Sequence, residues 1–571
     1  MLEMQVDGRI IEAKEGETIL SALKREGINV PTLCYLEGLM PSGACRLCVV
    51  ELEGAPNLVP ACSYPVAAGM KIQTRSPKVL EARKTIVELL LSNHPDDCLY
   101  CSRSGKCDLQ KLAQTLGIRQ RTYSGRRKEK EKDVSGPIVR DPEKCILCGR
   151  CVRVCEEIQT VSAIDFISRG SRAYVGTAFD QGLNLSPCIN CGQCILVCPT
   201  GALTEHSYLD EVIAALADPE KFVVVQHAPS VSVSLAEELG MEPGQDVDGK
   251  MTAALRRLGF DRVFDTAFAA DLTIMEEASE LVQRIARGGQ LPMFTSCSPG
   301  WIKFVEQFYP EFIPNLSTCK SPQQMMGAIV KSYFAEREGI DPARIVSVSI
   351  MPCTAKKFEC SRPEMAPKHI PDVDYVLTTR ELGQLLHIFG VDLLSLKPRA
   401  ADTPFGERTT AGKIFGASGG VMEAAIRTAY FFLTGQELEK LDIQPLRGFK
   451  SSKELRLKIG ELEIGAAVVS GLGNARKILE EIRAGRKDLD FIEVMTCPGG
   501  CINGGGQPIK ADALALRARM QALYKIDQTE KIRVSHKNSY VQRLYAEFLG
   551  KPLGEKSHRL LHTHYEPREI F

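Results

Sequence analysis

Twenty-one cysteines in a chain of 571 residues are the first chemical signal, because most of them fall in short motifs instead of being scattered. Cys34, Cys45, Cys48 and Cys62 are spaced C-x10-C-x2-C-x13-C, and His94, Cys98, Cys101 and Cys107 follow as H-x3-C-x2-C-x5-C. The run C-x2-C-x2-C-x3-C then occurs twice, at Cys145, Cys148, Cys151 and Cys155 and at Cys188, Cys191, Cys194 and Cys198. Thiolates are soft donors that suit zinc, copper(I) and iron–sulfur clusters. The opening MLEMQVDGRI has no basic segment followed by an apolar stretch, so no signal peptide is expected. Thiols of a cytoplasmic chain stay reduced, and cysteines at this density then imply metal or redox chemistry in place of a disulfide framework.

The sites differ in what they specify. Four cysteines with Gly43 close by fit a 2Fe-2S cluster on a loop, with structural zinc as the alternative, and the wide first spacing makes the likeness to ferredoxins one of arrangement. One histidine with three cysteines inside 14 residues suits zinc as well as a 4Fe-4S cluster when taken alone. Its neighbours on both sides favour a relay. The doubled run ends in Cys198-Pro199 and is the pattern of two-cluster ferredoxins, in which the last cysteine of each run ligates the other cluster. That pattern would join Cys198 to Cys145, Cys148 and Cys151, and Cys155 to Cys188, Cys191 and Cys194.

These ligands need scaffolds. Residues 4–13 alternate as a hairpin around Asp7-Gly8, residues 18–25 read as a short helix capped near Glu15-Gly16, and residues 79–91 have helical spacing leading into His94. Residues 123–133 are dense in charge of both signs and read as a solvated linker. Beyond Glu205, β-branched runs at 222–225, 345–350 and 466–469 alternate with amphipathic stretches such as 269–287 and 474–484, which predicts α/β structure with mostly parallel sheet. The turn at 470–474 lacks the third glycine of a dinucleotide-binding loop, with Arg476 in its place, and reads as a plain tight turn. Three further loops carry cysteine, each after an apolar run: Cys297 with Ser298, Cys353 with Lys356, and Cys497 with Cys501 followed by three consecutive glycines. Loops at strand ends of such a sheet can converge on one deep site, and glycines there would let backbone lie against a bulky cofactor.

At these loops the chain resembles the FeFe-hydrogenases, whose motifs have the forms TSCCPxW, MPCxxKxxE and ExMxCxxGCxxGGG; the last two match at every specified position. The module order is also that of the large members. The resemblance implies an H-cluster, a 4Fe-4S cubane joined through a cysteine sulfur to a two-iron unit with CO, cyanide and a bridging dithiolate amine. It also implies one 2Fe-2S and three accessory 4Fe-4S clusters. Carried over by position, Cys353, Cys497 and Cys501 would ligate the cubane, with Cys501 bridging, and Cys297 would pass protons to the amine. Onward transfer would use Glu277, Ser317 and Glu280 towards Arg284 and solvent, and the two glutamates, three apart on a helix, can share one face. Lys356 would donate to a cyanide, and Pro229, Ser230, Gln323, Met351 and Met495 would line the two-iron pocket.

Ser298 departs from the motif, standing where the family has the fourth cubane cysteine. Its oxygen is a harder donor than thiolate. Three accounts compete: Ser298 ligates iron; Cys297 ligates and Ser298 takes the proton role; or the cubane is weakened and turnover falls. The second is preferred here, because a hydroxyl can relay a proton whereas a lost thiolate removes a strong ligand. Cys319 and Cys360 lie outside the matched positions and read as core or near-surface thiols, Trp301 as a packing anchor, His227 as a hydrogen-bonded core histidine, and the histidines of 558–564 equally as core residues or as a surface tail.

The expected fold is multidomain α+β and α/β: a ferredoxin-like β-grasp 2Fe-2S domain (1–79), a small helical His-Cys cluster domain (80–122), a linker (123–137), a two-4Fe-4S ferredoxin domain (138–208) and a two-lobed H-cluster catalytic domain (209–571). Seventy-one basic residues balance 71 acidic ones, which excludes a bulk nucleic-acid or anionic-membrane binder. No run of 18 apolar residues is present to span a bilayer, and a cytoplasmic location is expected. The resemblance implies reversible oxidation of H2, with electrons passing to ferredoxin or, through iron–sulfur and flavin partner subunits, to NAD(P), and maturation proteins to build the two-iron unit. Residues 316–326 resemble the multimeric, electron-bifurcating type. A low-turnover hydrogen sensor or an electron-relay subunit is the alternative that Ser298 raises, and cluster scaffolding, as in hydrogenase-like eukaryotic proteins, is a third.

Overall fold

The computed structural model describes residues 1–125, 130–459, 462–509 and 511–570; residues 126–129, inside the expected linker, lie outside the described residues. The chain forms two compact units, one of residues 1–157, 162–186 and 197–204, the other of residues 158–161, 187–196 and 205–571.

In the first unit, β1 (Leu2–Val6) and β2 (Arg9–Ala13) pair antiparallel across Asp7-Gly8. Both turn residues have positive φ, 49° and 84°, which is what a two-residue hairpin with the right-handed strand twist demands. With β3 (Val49–Leu52), β4 (Val59–Pro60) and β5 (Lys71–Gln73) they form a sheet of order β2-β1-β5-β3-β4, in which β1 and β5 run parallel. Helix α1 (Ile19–Arg25) starts later than Glu15-Gly16, because its cap is Thr18, whose hydroxyl accepts from Ser21 N at 3.3 Å. It buries Ile19, Leu20, Ala22 and Leu23 against Met4, Val6, Val50 and Ile72, the β-grasp arrangement. Helix α2 (Pro77–Ser92), capped by Ser76 with proline in its first turn, delivers the chain to His94.

The second unit holds two four-stranded sheets. β6 (Phe222–His227), β7 (Arg262–Asp265), β9 (Ile345–Met351) and β10 (Tyr375–Thr378) are all parallel in the order β7-β6-β9-β10. β8 (Met293–Phe294), β11 (Ser452–Ile459), β12 (Leu462–Ser470) and β13 (Phe491–Met495) have the order β8-β13-β12-β11, parallel except for the β11–β12 hairpin. Every residue of β9 and of β13 is buried, as strands covered on both faces must be.

Helix α3 (Thr266–Arg287) is the longest of the unit and packs into two cores at once. Phe268, Leu272 and Met275 join one cluster with Phe264, Met325 and Phe334, while Ala270, Ile274 and Leu281 join another with Val421, Val468 and Phe491. A helix apolar on both sides is buried, so the charged residues on α3 need partners. Asp265 caps its start by accepting from Ala267 N at 2.8 Å, and Gly288, at φ 70°, ends it behind Arg284 and Arg287, which complement the helix dipole.

Candidate active site and electron-transfer centres

Four strands aim their C-terminal ends at one cavity of about 90 Å³. The segment after β6 brings Pro229 and Ser230, the end of β9 and the segment after it bring Met351, Cys353 and Lys356, the loop after β8 brings Cys297 and Ser298, and the end of β13 and the loop after it bring Met495, Cys497 and Cys501; all of these residues and Gln323 line it. Strand ends from both sheets therefore converge, as α/β folds place ligands. Gly500 and Gly504 line the cavity as expected, and the glycines of this loop have a second role. A Cβ on Gly500 would sit 2.6 Å from Ser418 N, and one on Gly505 2.3 Å from Cys191 O, so these positions let protein segments approach each other as well as leaving room in the cavity.

The cavity suits an inorganic cofactor. Its donors are buried thiols, and burial pushes the Cys501 thiol up to about 12, an energetic cost of the anion that bound iron would offset. The hydroxyl of Ser230 is fully buried and has no hydrogen-bond partner. Lys356 Nζ donates to Glu359 Oε2 at 2.9 Å and to Cys297 O at 3.2 Å, so its charge is fixed at the rim. Glu359 also accepts from Gln323 Nε2 at 3.1 Å and Ser321 Oγ at 2.9 Å; this carboxylate was present in the MPCxxKxxE motif but not singled out.

The loop places its two adjacent residues differently. Burial pushes the Cys297 thiol up, and the charges that act on it next are Glu277 and then Cys501, whereas Cys497 lies among Cys353, Cys191 and Cys501. Among the charges, that of Glu277 thus weighs most on Cys297. The Ser298 hydroxyl lies 2.7 Å from Thr496 Oγ1 and leaves α4 (Pro299–Phe308), which it precedes, without a side-chain cap. Thr496 escaped sequence reasoning because it is 198 residues away.

From Cys297 the polar groups continue along α3. Glu277 is 1% exposed with Oε2 unpartnered, and burial, reinforced by Glu280, pushes its carboxyl up to about 8. Ser317 Oγ donates to Glu280 Oε2 at 3.0 Å, and Arg284 Nη2 donates to Glu280 Oε1 at 2.5 Å. Glu277, Ser317, Glu280 and Arg284 are therefore brought together. Trp301 is fully buried and donates to Thr295 O at 3.1 Å, Cys319 is a core thiol, and His227 Nε2 lies 3.5 Å from Thr252 Oγ1. The histidine-rich end is mixed: His558 and His564 are exposed, whereas His562 is 6% exposed, because Thr318 and Glu276 supply partners for both its ring nitrogens.

All 21 cysteines are free of disulfides. Cys34 pairs by hydrogen bond with Cys45, and Cys48 with Cys62, and these contacts pull the Cys34 and Cys62 thiols down. His94 is 8% exposed with Nδ1 unpartnered, and burial holds its ring below the usual imidazole range; a neutral imidazole with an idle nitrogen is a metal donor. Cys98, Cys101 and Cys107 interact electrostatically around Cys101. Cys145, Cys148, Cys151 and Cys198 line one cavity of about 20 Å³. Cys188, Cys191 and Cys194 belong to the second unit, where Cys191 forms part of the wall of the main cavity; Cys155 belongs to the first. The turn at Gly471, φ 81°, closes by Asn474 Nδ2 donating to Ser470 O at 2.8 Å.

The family model for the C-terminal domain of the iron-only hydrogenase large subunit matches residues 221–505, and that for the iron hydrogenase small subunit matches 513–568. A 2Fe-2S iron–sulfur cluster binding domain matches 1–77, the NADH-ubiquinone oxidoreductase-G iron–sulfur binding region 83–122, and the ferredoxin-like domain of NADH-quinone oxidoreductase subunit 3 residues 136–204. The NADP-reducing hydrogenase subunit HndD of Solidesulfovibrio fructosivorans is 50% identical over 100% of this chain and 99% of its own. Iron hydrogenase 1 of Clostridium pasteurianum is 40% identical over 98% of this chain and 99% of its own. A solved FeFe-hydrogenase of Chlamydomonas reinhardtii, 42% identical, superposes with a TM-score of 0.58 and covers 63% of this chain and 99% of that one. Full-length identity with two hydrogenases, joined to a cavity whose donors fit the cluster, places this chain in the FeFe-hydrogenase family, as an oxidoreductase acting on hydrogen with an H-cluster, 2Fe-2S and 4Fe-4S cofactors.

Proposed function

We propose that this hydrogenase is the catalytic subunit of a cytoplasmic, multimeric enzyme that exchanges electrons with NAD(P) through flavin- or iron–sulfur-bearing partner chains. The observation that carries this is the 50% identity, end to end, with a subunit named for NADP reduction. The NADH-oxidoreductase-like modules upstream support it, as does the lack of a dinucleotide loop at Gly471, which leaves nucleotide chemistry to partners. No helix among the described residues is long and apolar enough to cross a membrane. Ferredoxin serves as a further electron carrier, and maturation proteins supply the two-iron unit. The modules are assigned as 1–79, 80–122, 138–208 and 209–571, with the linker at 123–137.

Within the catalytic module, Cys353, Cys497 and Cys501 would hold the cubane, and Pro229, Ser230, Gln323, Met351 and Met495 would enclose the two-iron unit. When bound, the H-cluster supplies the chemistry that splits or joins H2. The chain supplies everything else. Lys356, oriented by Glu359, presents a positive charge to an anionic group, while apolar and methionine side chains exclude water. Cys297, beside Glu277, passes the proton, Glu277 holds it as a neutral carboxyl near neutral pH, and Ser317 hands it to Glu280. The charge of Glu277 acting on Cys297 supports the proton role for this thiol over the ligand role preferred from the sequence, and on this reading Ser298, 2.7 Å from Thr496 Oγ1, would take the position of the fourth ligand.

Purification of the native protein under anaerobic conditions tests the assembly. Co-purification with flavin-bearing chains and H2-dependent NAD(P) reduction are expected; a lone polypeptide that turns over with ferredoxin alone would refute the partner subunits.

A further inference from the structure

The proton path as assigned has an outlet that cannot take a proton. Arg284 covers Glu280 Oε1 with Nε at 3.1 Å and Nη2 at 2.5 Å, and a guanidinium is a donor only, charged at every working pH. The other oxygen faces a different group. Glu280 Oε2 accepts from Thr318 Oγ1 at 3.2 Å and from Thr318 N at 3.1 Å, and the same hydroxyl lies 2.8 Å from His562 Nδ1. His562 Nε2 lies 3.1 Å from Glu276 Oε2. A hydroxyl both donates and accepts, so Thr318 joins a carboxyl to an imidazole without any gap.

We propose that Thr318 and His562 form a second proton branch, leaving the path at Glu280 and reaching solvent at His558. This rests on the assignment of Glu277, Ser317 and Glu280 to proton transfer. In the outward direction the Glu280 O–H gives its proton to Thr318 Oγ1 while the Thr318 O–H gives its own to His562 Nδ1. The products are a carboxylate, an unchanged hydroxyl and an imidazolium whose Nε2–H points at Glu276. Protons are conserved, and the reverse sequence serves H2 production.

The surroundings of His562 suit this role. Burial pushes the Glu276 carboxyl up, but hydrogen bonds from His562, Ser557, Tyr545 and Leu553 N outweigh it and hold the group below the ordinary range, ready to balance an imidazolium. The titratable groups facing His562 are Glu276 and Glu280 of α3, Cys319 of the following loop, and His558 of α5 (Glu555–Leu561); Tyr545 reaches Glu276 from the C-terminal segment. To pass the proton on, the imidazolium turns its Nε2–H edge from Glu276 towards His558, one helical turn earlier with ring centroids 4.6 Å apart, and gives that proton to the His558 ring, which is exposed to solvent; His562 is left neutral and turns back for the next proton.

The test uses the co-matured holoenzyme. Thr318→Val is expected to lower H2 oxidation about 3- to 10-fold, to raise the solvent isotope effect and to shift the infrared carbonyl band of protonated Glu280, whereas Thr318→Ser restores all three. His558→Gln alters only an exposed ring. Outward transfer needs a neutral His558, so wild-type H2 oxidation should fall as pH drops through the imidazole range, and this limb should flatten in His558→Gln. Glu280→Gln separates the two ideas. If it leaves turnover intact, the parent path fails; if it abolishes turnover while Thr318→Val and His558→Gln keep the wild-type rate, pH profile and isotope effect, the branch alone is refuted.

Discussion

The accessory cluster sites and the catalytic cavity solve the same problem, gathering thiolates, by opposite means. His94, Cys98, Cys101 and Cys107 come from one stretch of 14 residues after α2, so a short segment supplies all four donors. Cys353 and Cys497 are 144 positions apart in sequence order and meet only because β9 and β13, in separate sheets, end at one cavity. A local site depends on a short loop, whereas the cavity depends on the whole module. Damage to the first should stay in electron transfer, and damage to the second should stop the chemistry.

Replacing Cys501 by Ala should make the largest difference, lowering H2 turnover by more than about 100-fold while the accessory clusters keep their EPR signals. Loss of those signals as well would erase the distinction. Cys297→Ala should cost about 100- to 10,000-fold through loss of proton transfer, with the iron content of the protein unchanged. A missing cubane in that variant would instead make Cys297 a ligand. His94→Ala should slow H2-dependent NAD(P) reduction about tenfold or more and leave H/D exchange at the cavity near the wild-type rate, since only the outlying cluster is touched. The mildest test is pH. Glu277 carries its proton up to about pH 8 and loses it above, so H2 production should decline about tenfold per unit beyond that point, and Glu277→Gln should remove the limb along with most of the rate.

The same contrast explains what could be read before the fold was known. Spacing alone marked out the candidate accessory ligands, and alternation around Asp7-Gly8 identified the first hairpin, because both are local. The cavity was readable only where loops carry a motif. Thr496, held against Ser298 across 198 residues, and His562, held against Thr318 across 244, have no local signature; their roles are set by how strands and helices approach. The glycines beside Cys501 were recognised, but much of what they permit is contact between protein segments, which no spacing reveals.

Helix α3 also behaves as a ruler. An α-helix advances about 100° and 1.5 Å per residue, so Glu277, Glu280 and Arg284 follow one stripe only at their present register. One residue inserted between the two glutamates would turn the second by about 100°, away from Ser317, with both carboxylates still in the sequence. The length of the helix between Glu277 and Arg284 is therefore as fixed as the spacing of any cysteine motif in the chain.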